Sequence, residues 1–265
     1  MHSEQPWFVL SAAKHYDLAM SDDVAISHYY SFEADQANGL TFAVPDGCID
    51  ILFDCDQTNP QAMVCGSTLQ ARSAELEHSH RYFGVRFAMG VLPDFLEVDA
   101  GELVDHRFKL QELVPQAGSI FAQIVGEAGF TDQVALFKHF YMGKAPRGLS
   151  PLTLETADII FSKRGDVRIK QLEERTGYTC RTLQRRFHDD MGMSPKDFAR
   201  IVRCQHAIRH IHHHDKLTFS ELACDLGFSD QPHFLREFKK FVSTTPADYQ
   251  RRIKKHAYLQ RIRYL

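Results

Sequence analysis

Apolar residues recur at helical spacing near the C-terminal end of the chain. In the segment TFSELACDLGF they fall three or four positions apart, at Phe219, Leu222, Ala223 and Leu226. This spacing predicts one buried face of a short helix. Gly227 follows and favours the left-handed conformation that ends many helices, and Ser229 is predicted to cap the next helix. That second helix has Phe234 and Phe238 one turn apart on its buried side.

The same arrangement occurs once before, 51 residues upstream, as the positions of Phe187 and Phe238 show. The first helix has its stripe at Ile169, Leu172 and Thr176. Gly177 makes the turn and Thr179 caps the second helix. Two helices joined by a tight turn form a helix-turn-helix, whose second helix enters the major groove of DNA. The sequence therefore predicts two such units.

Polar and basic residues lie on the outer face of both second helices. Arg and Gln suit the reading of DNA, because each makes two parallel hydrogen bonds to a base edge, Arg to guanine and Gln to adenine. The predicted DNA-binding residues are Thr179, Arg181, Thr182, Gln184 and Arg185 in the first unit, and Ser229, Gln231, His233, Arg236 and Lys239 in the second. Without the repeat, the arginines would equally fit a solvated surface.

A third helix is predicted between the two units. Ser194 caps it, and Pro195 occupies its first position, where a missing N–H costs little. Its apolar stripe runs from Phe198 to Ile211. This helix is long enough to link the two units rigidly. The basic tail 251–263 fits a solvated helix, and phosphate contact by part of it is the alternative.

Charge divides the chain into two parts. Residues 1–150 have 9 Lys and Arg against 20 Asp and Glu, a formal charge of −11, whereas residues 151–265 have 22 against 14, a charge of +8. This split favours an acidic module joined to one that meets a polyanion. A length of 265 residues favours two domains. No signal peptide or apolar run of membrane-spanning length is evident, so a cytoplasmic protein is expected.

The acidic part has the pattern of an antiparallel β-structure. Short segments rich in β-branched and aromatic residues alternate with turns, at 24–32, 40–44, 48–54, 62–66, 73–77 and 82–88. Residues 117–142 echo the helix-turn-helix pattern, but their second helix offers only Lys138 and His139 as positive groups. A DNA-binding unit must neutralise phosphates. We therefore expect a helical hairpin that packs on the strands or forms a dimer, with Phe137 as its test position, followed by a linker at 143–151.

The basic part resembles the AraC/XylS family of transcription regulators. The resemblance rests on TLQRRF, GMSPKDF, LACDLGFSDQPHFLREFKK and TTPADY, in order and correctly spaced across 155–255. The resemblance implies a seven-helix domain with two helix-turn-helix units that binds promoter DNA. It also implies a transcription activator that works with RNA polymerase. Glu173 stands where the family has a small residue, and Ser243 where it has Gly. Pro232 and Leu235 occupy positions that are often polar in the family.

The acidic part resembles the N-terminal domain of an AraC-type subgroup, through VPDGCIDILF and YFGVRF. The expected fold class is α+β, an antiparallel cupin-like β-barrel with a helical hairpin and an all-α DNA-binding domain. The expected boundaries are 1–115 for a sensor or assembly domain, 116–150 for the hairpin and linker, and 151–265 for the DNA-binding domain. In related regulators the first domain senses a small molecule or forms a homodimer.

Enzymatic chemistry has little support in the sequence. His78 and His80 share one face of a strand, as in a metal-binding cupin, but only His28 stands as a third candidate ligand. No catalytic motif is evident, and no cofactor or metal is expected. Two alternatives to an effector-controlled regulator stay open. One is a cupin-type metalloenzyme with a DNA-binding appendage, and the other is a regulator controlled by a partner or by its own expression level.

Overall fold

The computed structural model describes residues 3–34, 41–214 and 218–265 and has an α+β fold. The strands in these residues are β1 Tyr16–Met20, β2 Ile26–Glu33, β3 Thr41–Ala43, β4 Asp50–Asp54, β5 Gln61–Cys65, β6 Arg72–Ala74, β7 Arg81–Phe87, β8 Arg107–Lys109 and β9 Ile262–Tyr264. The six segments predicted from alternation overlap β2 to β7, which confirms a strand at each, although the segment 73–77 shares only Ser73 and Ala74 with β6. Leu40, the first residue of the second segment, lies outside the described residues.

The α+β fold class is confirmed, and the cupin-like sheet is open rather than closed into a complete barrel. Seven strands are ordered β8-β5-β4-β7-β2-β1-β9, and β3 pairs separately with β6. Closing a barrel requires the two edge strands to pair with each other. Here β8 ends one edge, while β9, from the C-terminal end of the chain, occupies the other edge. It pairs in parallel with β1, with Tyr16 opposite Ile262 and Leu18 opposite Tyr264.

Short helices and a hairpin cover one face of the sheet. They are α1 Ala100–Leu103, α2 Leu110–Leu113, α3 Gly118–Gly126 and α4 Phe130–Tyr141. The Phe137 ring meets Tyr29 of β2 at a centroid distance of 6.2 Å, and Phe130 meets Phe83 of β7 at 6.1 Å. The hairpin therefore packs on the sheet as predicted. Phe137 is only 1% exposed and belongs to the core, so it is not available to a partner.

The remaining helices form the C-terminal half. They are α5 Pro151–Ser162, α6 Ile169–Thr176, α7 Cys180–Met191, α8 Pro195–His213, α9 Phe219–Asp225, α10 Gln231–Val242 and α11 Pro246–Lys255. Ser150, Ser194 and Thr245 each cap a helix by accepting a backbone N–H three residues on, and each is followed by a proline. A proline at the first helical position has the required φ angle and gives up no helical hydrogen bond. These short signals explain why the helix starts are sharp.

The basic tail is not one continuous helix. After α11 the chain makes a short helical turn, Tyr258–Arg261, and then enters β9. The Arg261 guanidinium donates to the carbonyl oxygens of Val9 and Leu10, at 3.1 and 3.2 Å. These contacts fix the tail against the N-terminal segment and guide it to the edge of the sheet.

One hydrophobic core joins the beginning of the chain to the helical half. Trp7, 1% exposed, belongs to the same buried cluster as Phe198 and Phe238. Its indole N–H donates to the carbonyl oxygen of Val242 at 3.0 Å, and its ring lies edge-on to Tyr249 at 5.8 Å. The expected boundary at residue 150 is thus crossed by packing contacts. No helix of the described ranges is long and apolar enough to cross a membrane.

Candidate DNA-binding surface

The first unit has the geometry of a helix-turn-helix. Gly177, with a φ of +74°, ends α6, and the Thr179 side chain caps α7 by accepting the N–H of Thr182. The Glu173 carboxylate accepts the N–H of Cys180 at 2.6 Å. A carboxylate is favoured at the positive end of a helix. Glu173, which stands where the resembled family has a small residue, therefore fixes the start of the recognition helix α7.

The second unit follows the same plan with one difference. Gly227, with a φ of +70°, makes the turn between α9 and α10. The cap of α10 is Asp230, which accepts the N–H of His233 at 2.6 Å, and this bond lowers the pKa of the Asp230 carboxyl. Ser229, predicted as the cap, lies one residue outside and donates its hydroxyl to Asp230. Asp230 caps the helix instead of Ser229 because a charged carboxylate accepts a stronger hydrogen bond from a backbone N–H than a hydroxyl does.

The predicted reading residues of the first unit lie on the surface. Arg181, Gln184 and Arg185 are all exposed on α7, and Leu183 and Phe187 are buried on its other side. Thr179 is exposed and Thr182 half-buried, with their hydroxyls 3.1 Å apart. This helix therefore presents two guanidinium groups and an amide on one exposed face.

The predicted contact residues of the second recognition helix differ in their exposure. Ser229, Gln231, Arg236 and Lys239 are exposed at its start and along its outer face. His233 was expected to point outward as well. It is half-buried, with its ring edge-on to Phe228 at 5.3 Å, and it lines the cleft between the two units. Among the described residues, Arg181, Arg185 and Arg236 have no ion-pair partner, so their charges are available to an external anion.

Helix α8 joins the units as predicted. Its stripe is buried, and Phe198 packs against Phe161 and Phe187 at centroid distances of 5.3 and 5.4 Å. Arg200 forms two hydrogen bonds to Glu237 of α10, at 2.8 and 3.1 Å. This bidentate pair ties the linking helix to the second recognition helix. At the end of α10, Ser243 adopts a φ of +61°, which explains why a glycine is usual there.

The N-terminal half holds the far ends of both recognition helices, which the sequence did not indicate. Gly192 ends α7 with a φ of +71°, and a Cβ there would lie 2.2 Å from the carbonyl oxygen of Ala100 in α1. The end of α10 is held by the Trp7 bond to Val242. The two helices are thus anchored at their buried ends and exposed at their reading faces.

The candidate metal ligands are engaged in other contacts. His80 lies 2.8 Å from an Asp54 oxygen, a hydrogen bond that raises the pKa of the imidazole. His78 contacts Ser79, and His28 contacts Ser27. Across residues 3–34, 41–214 and 218–265, no cluster of three or more His, Cys, Asp or Glu side chains is arranged to hold a metal ion.

The two helix-turn-helix units on one linking helix place this chain in the class of DNA-binding helix-turn-helix proteins. A family model described as a helix-turn-helix domain matches residues 172–252, and a domain of unknown function, DUF6597, matches residues 23–109. The probable transcription factor PqrA of Proteus vulgaris is 32% identical over 84 residues, which cover 32% of this chain and 68% of that protein. The chain belongs to the AraC/XylS family of transcription regulators.

Other relatives match over part of their length. Uncharacterized helix-turn-helix transcriptional regulators of Staphylococcus aureus are 29% identical over 85 residues, or 32% of this chain, and the chain spans 11% of their length. A solved structure of a probable AraC family regulator from Rhodopseudomonas palustris is 27% identical, with a TM-score of 0.36. It covers 39% of this chain and 97% of that one.

Proposed function

We propose that this protein is a transcription regulator that binds promoter DNA through both helix-turn-helix units. The observation that carries the proposal is the pair of exposed, basic outer faces on α7 and α10, joined by the single helix α8. Recognition helices on one rigid support enter successive major grooves, about one helical turn or roughly 34 Å apart. The proposed contacts are the residues named from the sequence, except His233, which lies in the cleft.

The first unit is proposed to discriminate between base pairs more strongly than the second unit. Arg181, Gln184 and Arg185 all carry groups that bond base edges in pairs. In the second unit, Pro232 and Leu235 occupy positions along α10 and offer no such groups. His233 turns toward the cleft. Arg236 is the remaining guanidinium on that helix, and Lys239 suits a phosphate.

The proposed division of labour follows the charge. Residues 151–265 form the DNA-binding domain, and their positive charge gives binding that weakens steeply with salt, because phosphate contacts release counterions. Residues 1–115 form the sensor or assembly domain, with 116–150 as hairpin and linker. A regulator that acts on promoter DNA in a bacterium works in the cytoplasm, next to RNA polymerase. Activation is proposed from family membership.

Response to a small-molecule effector is proposed for the acidic half. A cavity of about 370 Å³ lies between the main sheet and the β3–β6 pair. Arg86, 3% exposed, forms ion pairs there with Asp46 and Asp50, and the Tyr30 hydroxyl donates to Asp50. Pockets of this size with a few fixed polar groups are typical ligand sites. A homodimer is also proposed from family membership, but its interface is not at the buried Phe137.

The experiment compares Arg185→Ala with Arg236→Ala. Bound sequences are first selected from a random DNA pool, and each variant is then measured against operators with single base changes. Each variant should lose about 1–3 kcal/mol and relax preference at its own block of the operator. Lys138→Ala, on the exposed face of the hairpin, is the control and should leave affinity unchanged.

The outcomes distinguish an arginine that recognises bases from one that contacts only phosphate. A larger loss of base preference for Arg236→Ala than for Arg185→Ala would reverse the proposed ranking. An equal weakening on all sequences would make that arginine a phosphate contact. A chain that selects no sequence from the pool would contradict the proposed function itself.

A further inference from the structure

A second cavity lies within the C-terminal half, between the two helix-turn-helix units. Its volume is about 690 Å³, and every residue that lines it falls within 165–241. It is therefore separate from the cavity in the acidic half. Its walls come from the N-terminal parts of α6 and α8 and from the inner side of α10. The size falls within the range of small-molecule sites, about 300–1,000 Å³.

The lining is largely apolar and aromatic. Its apolar members include Leu172, Ala199, Phe228, Phe234, Phe238 and Phe241. The rings of Phe228, Phe234 and Phe238 contact one another in series, at centroid distances of 5.3 and 5.8 Å. Aromatic faces and edges of this kind bind a planar hydrophobic body better than they bind a hydrated phosphate.

The charged groups of the cleft have an excess of positive charge. Among the described residues that line it, four carry positive charge, Arg168, Lys196, Arg200 and Arg203, and one carries a carboxylate, Glu237. Arg200 is matched to Glu237, whose hydrogen bonds raise the pKa of that guanidinium. Lys196 and Arg168 are exposed at the rim. Arg203 therefore decides what the interior of the cleft attracts.

Arg203 is incompletely satisfied. Its Nη2 donates to the carbonyl oxygen of Gly165 at 2.8 Å and lies 3.4 Å from an Asp166 oxygen. Its guanidinium stacks over Phe228 at 4.9 Å. Its Nε is buried and has no hydrogen-bond partner in the described part of the chain. Burial lowers the pKa of Arg203, because Asp166 and Glu237 offset that burial only in part.

We propose that this cleft binds an amphipathic organic anion, with an aromatic body against the phenylalanines and a carboxylate at Arg203. Arginine binds carboxylates through two parallel hydrogen bonds, and these bonds strengthen where water is excluded. The site goes beyond the effector cavity proposed for the acidic half, since it lies inside the DNA-binding half. Because α8 and α10 both line it, an occupant would also fix the second recognition helix against the linking helix, a consequence that rests on the proposed function.

The test uses the full chain without DNA. Binding of a biphenyl carboxylate and of the corresponding neutral biphenyl methanol is measured by isothermal titration calorimetry. The carboxylate should bind at least about ten-fold more tightly than the alcohol, since a hydrogen bond to a charged group contributes about 1.5–3 kcal/mol. Arg203→Gln should remove most of this preference. Arg175→Gln, an exposed arginine of α6 outside the cleft, is the matched control and should change nothing.

A second variant covers the case in which Arg203→Gln unfolds. Lys196→Gln changes an exposed rim residue, so its fold should persist, and carboxylate binding should weaken a few-fold. Equal binding of acid and alcohol, no binding at millimolar probe, or binding unchanged in both cleft variants would overturn the proposal. If no probe binds and a cleft variant weakens binding in a separate DNA titration, the cleft is a phosphate contact and the proposal is overturned. Since the probe titration contains no DNA, failure of the proposed regulator function leaves its result intact.

Discussion

Two glycines offer a matched test of how the halves of the protein pack. Gly177 and Gly192 end consecutive helices, α6 and α7, with nearly equal φ angles of +74° and +71°. At Gly177 a Cβ would meet nothing within 4 Å. At Gly192 it would lie 2.2 Å from the carbonyl oxygen of Ala100 and 2.8 Å from a methyl group of Val104. Alanine at the two sites therefore differs mainly in this contact with the N-terminal half.

The expected costs follow from these distances. The left-handed conformation costs a non-glycine residue about 1–2 kcal/mol, and both variants carry that cost. At Gly192 the new atom also overlaps a backbone oxygen, which cannot rotate away as a side chain would. Forced displacement in a packed region adds typically about 1–3 kcal/mol. Gly192→Ala should therefore lower the free energy of unfolding by about 2–5 kcal/mol, against about 1–2 kcal/mol for Gly177→Ala.

Urea unfolding followed by far-ultraviolet circular dichroism measures both variants under one condition. The slope of free energy against urea must be unchanged for the comparison to report stability alone. Equal costs, within about 0.5 kcal/mol, would refute the reasoning. Such a result would mean that α1 does not press on the end of the first recognition helix in solution.

Two further predictions concern buried groups. Trp7→Ala should lower the free energy of unfolding by about 3–5 kcal/mol, because the ring is 1% exposed within the helical core. Circular dichroism in urea measures this loss, and a loss below about 1 kcal/mol would place Trp7 outside that core. Burial, with the charges of Arg164 and Arg209, lowers the pKa of His206 from 6.5 to about 4. Its contribution to stability is therefore complete above pH 6.5 and is lost as the pH falls toward 4; His206→Gln should flatten the pH profile there, and an imidazole that titrates near 6.5 by NMR would contradict this.

Local signals determined the helix-turn-helix units. The caps Thr179 and Ser194 lie beside the helices they start, and Gly177 and Gly227 lie where the chain must turn. Each contact joins residues within about one helical turn, so a short window of sequence contains both partners. The strands β2 to β7 were predictable for a similar reason, since alternation shows a half-buried strand without naming its neighbour. Strand β1 alternates in the same way, at Tyr16, Leu18 and Met20, although the predicted segments begin at residue 24.

The choice between neighbouring caps shows where local reasoning becomes ambiguous. Ser229 and Asp230 are both good capping residues, and periodicity alone leaves the start of α10 uncertain by one residue. The structure selects Asp230, which accepts the N–H of His233, and it places the His233 ring against Phe228. The exposure of this predicted contact residue thus depends on a packing contact that periodicity does not show.

Local sequence patterns predict the two repeated units, their linking helix and the β-rich character of the acidic half. The open sheet, its edge strand β9 and the position of Trp7 in the helical core result from long-range packing. The partners of these contacts are more than 200 residues apart, as Trp7 and Val242 are. A three-residue strand has no measurable period, and a lone tryptophan near the start of a chain indicates burial but not against what. Such contacts are fixed by which surfaces remain uncovered after the local elements have formed.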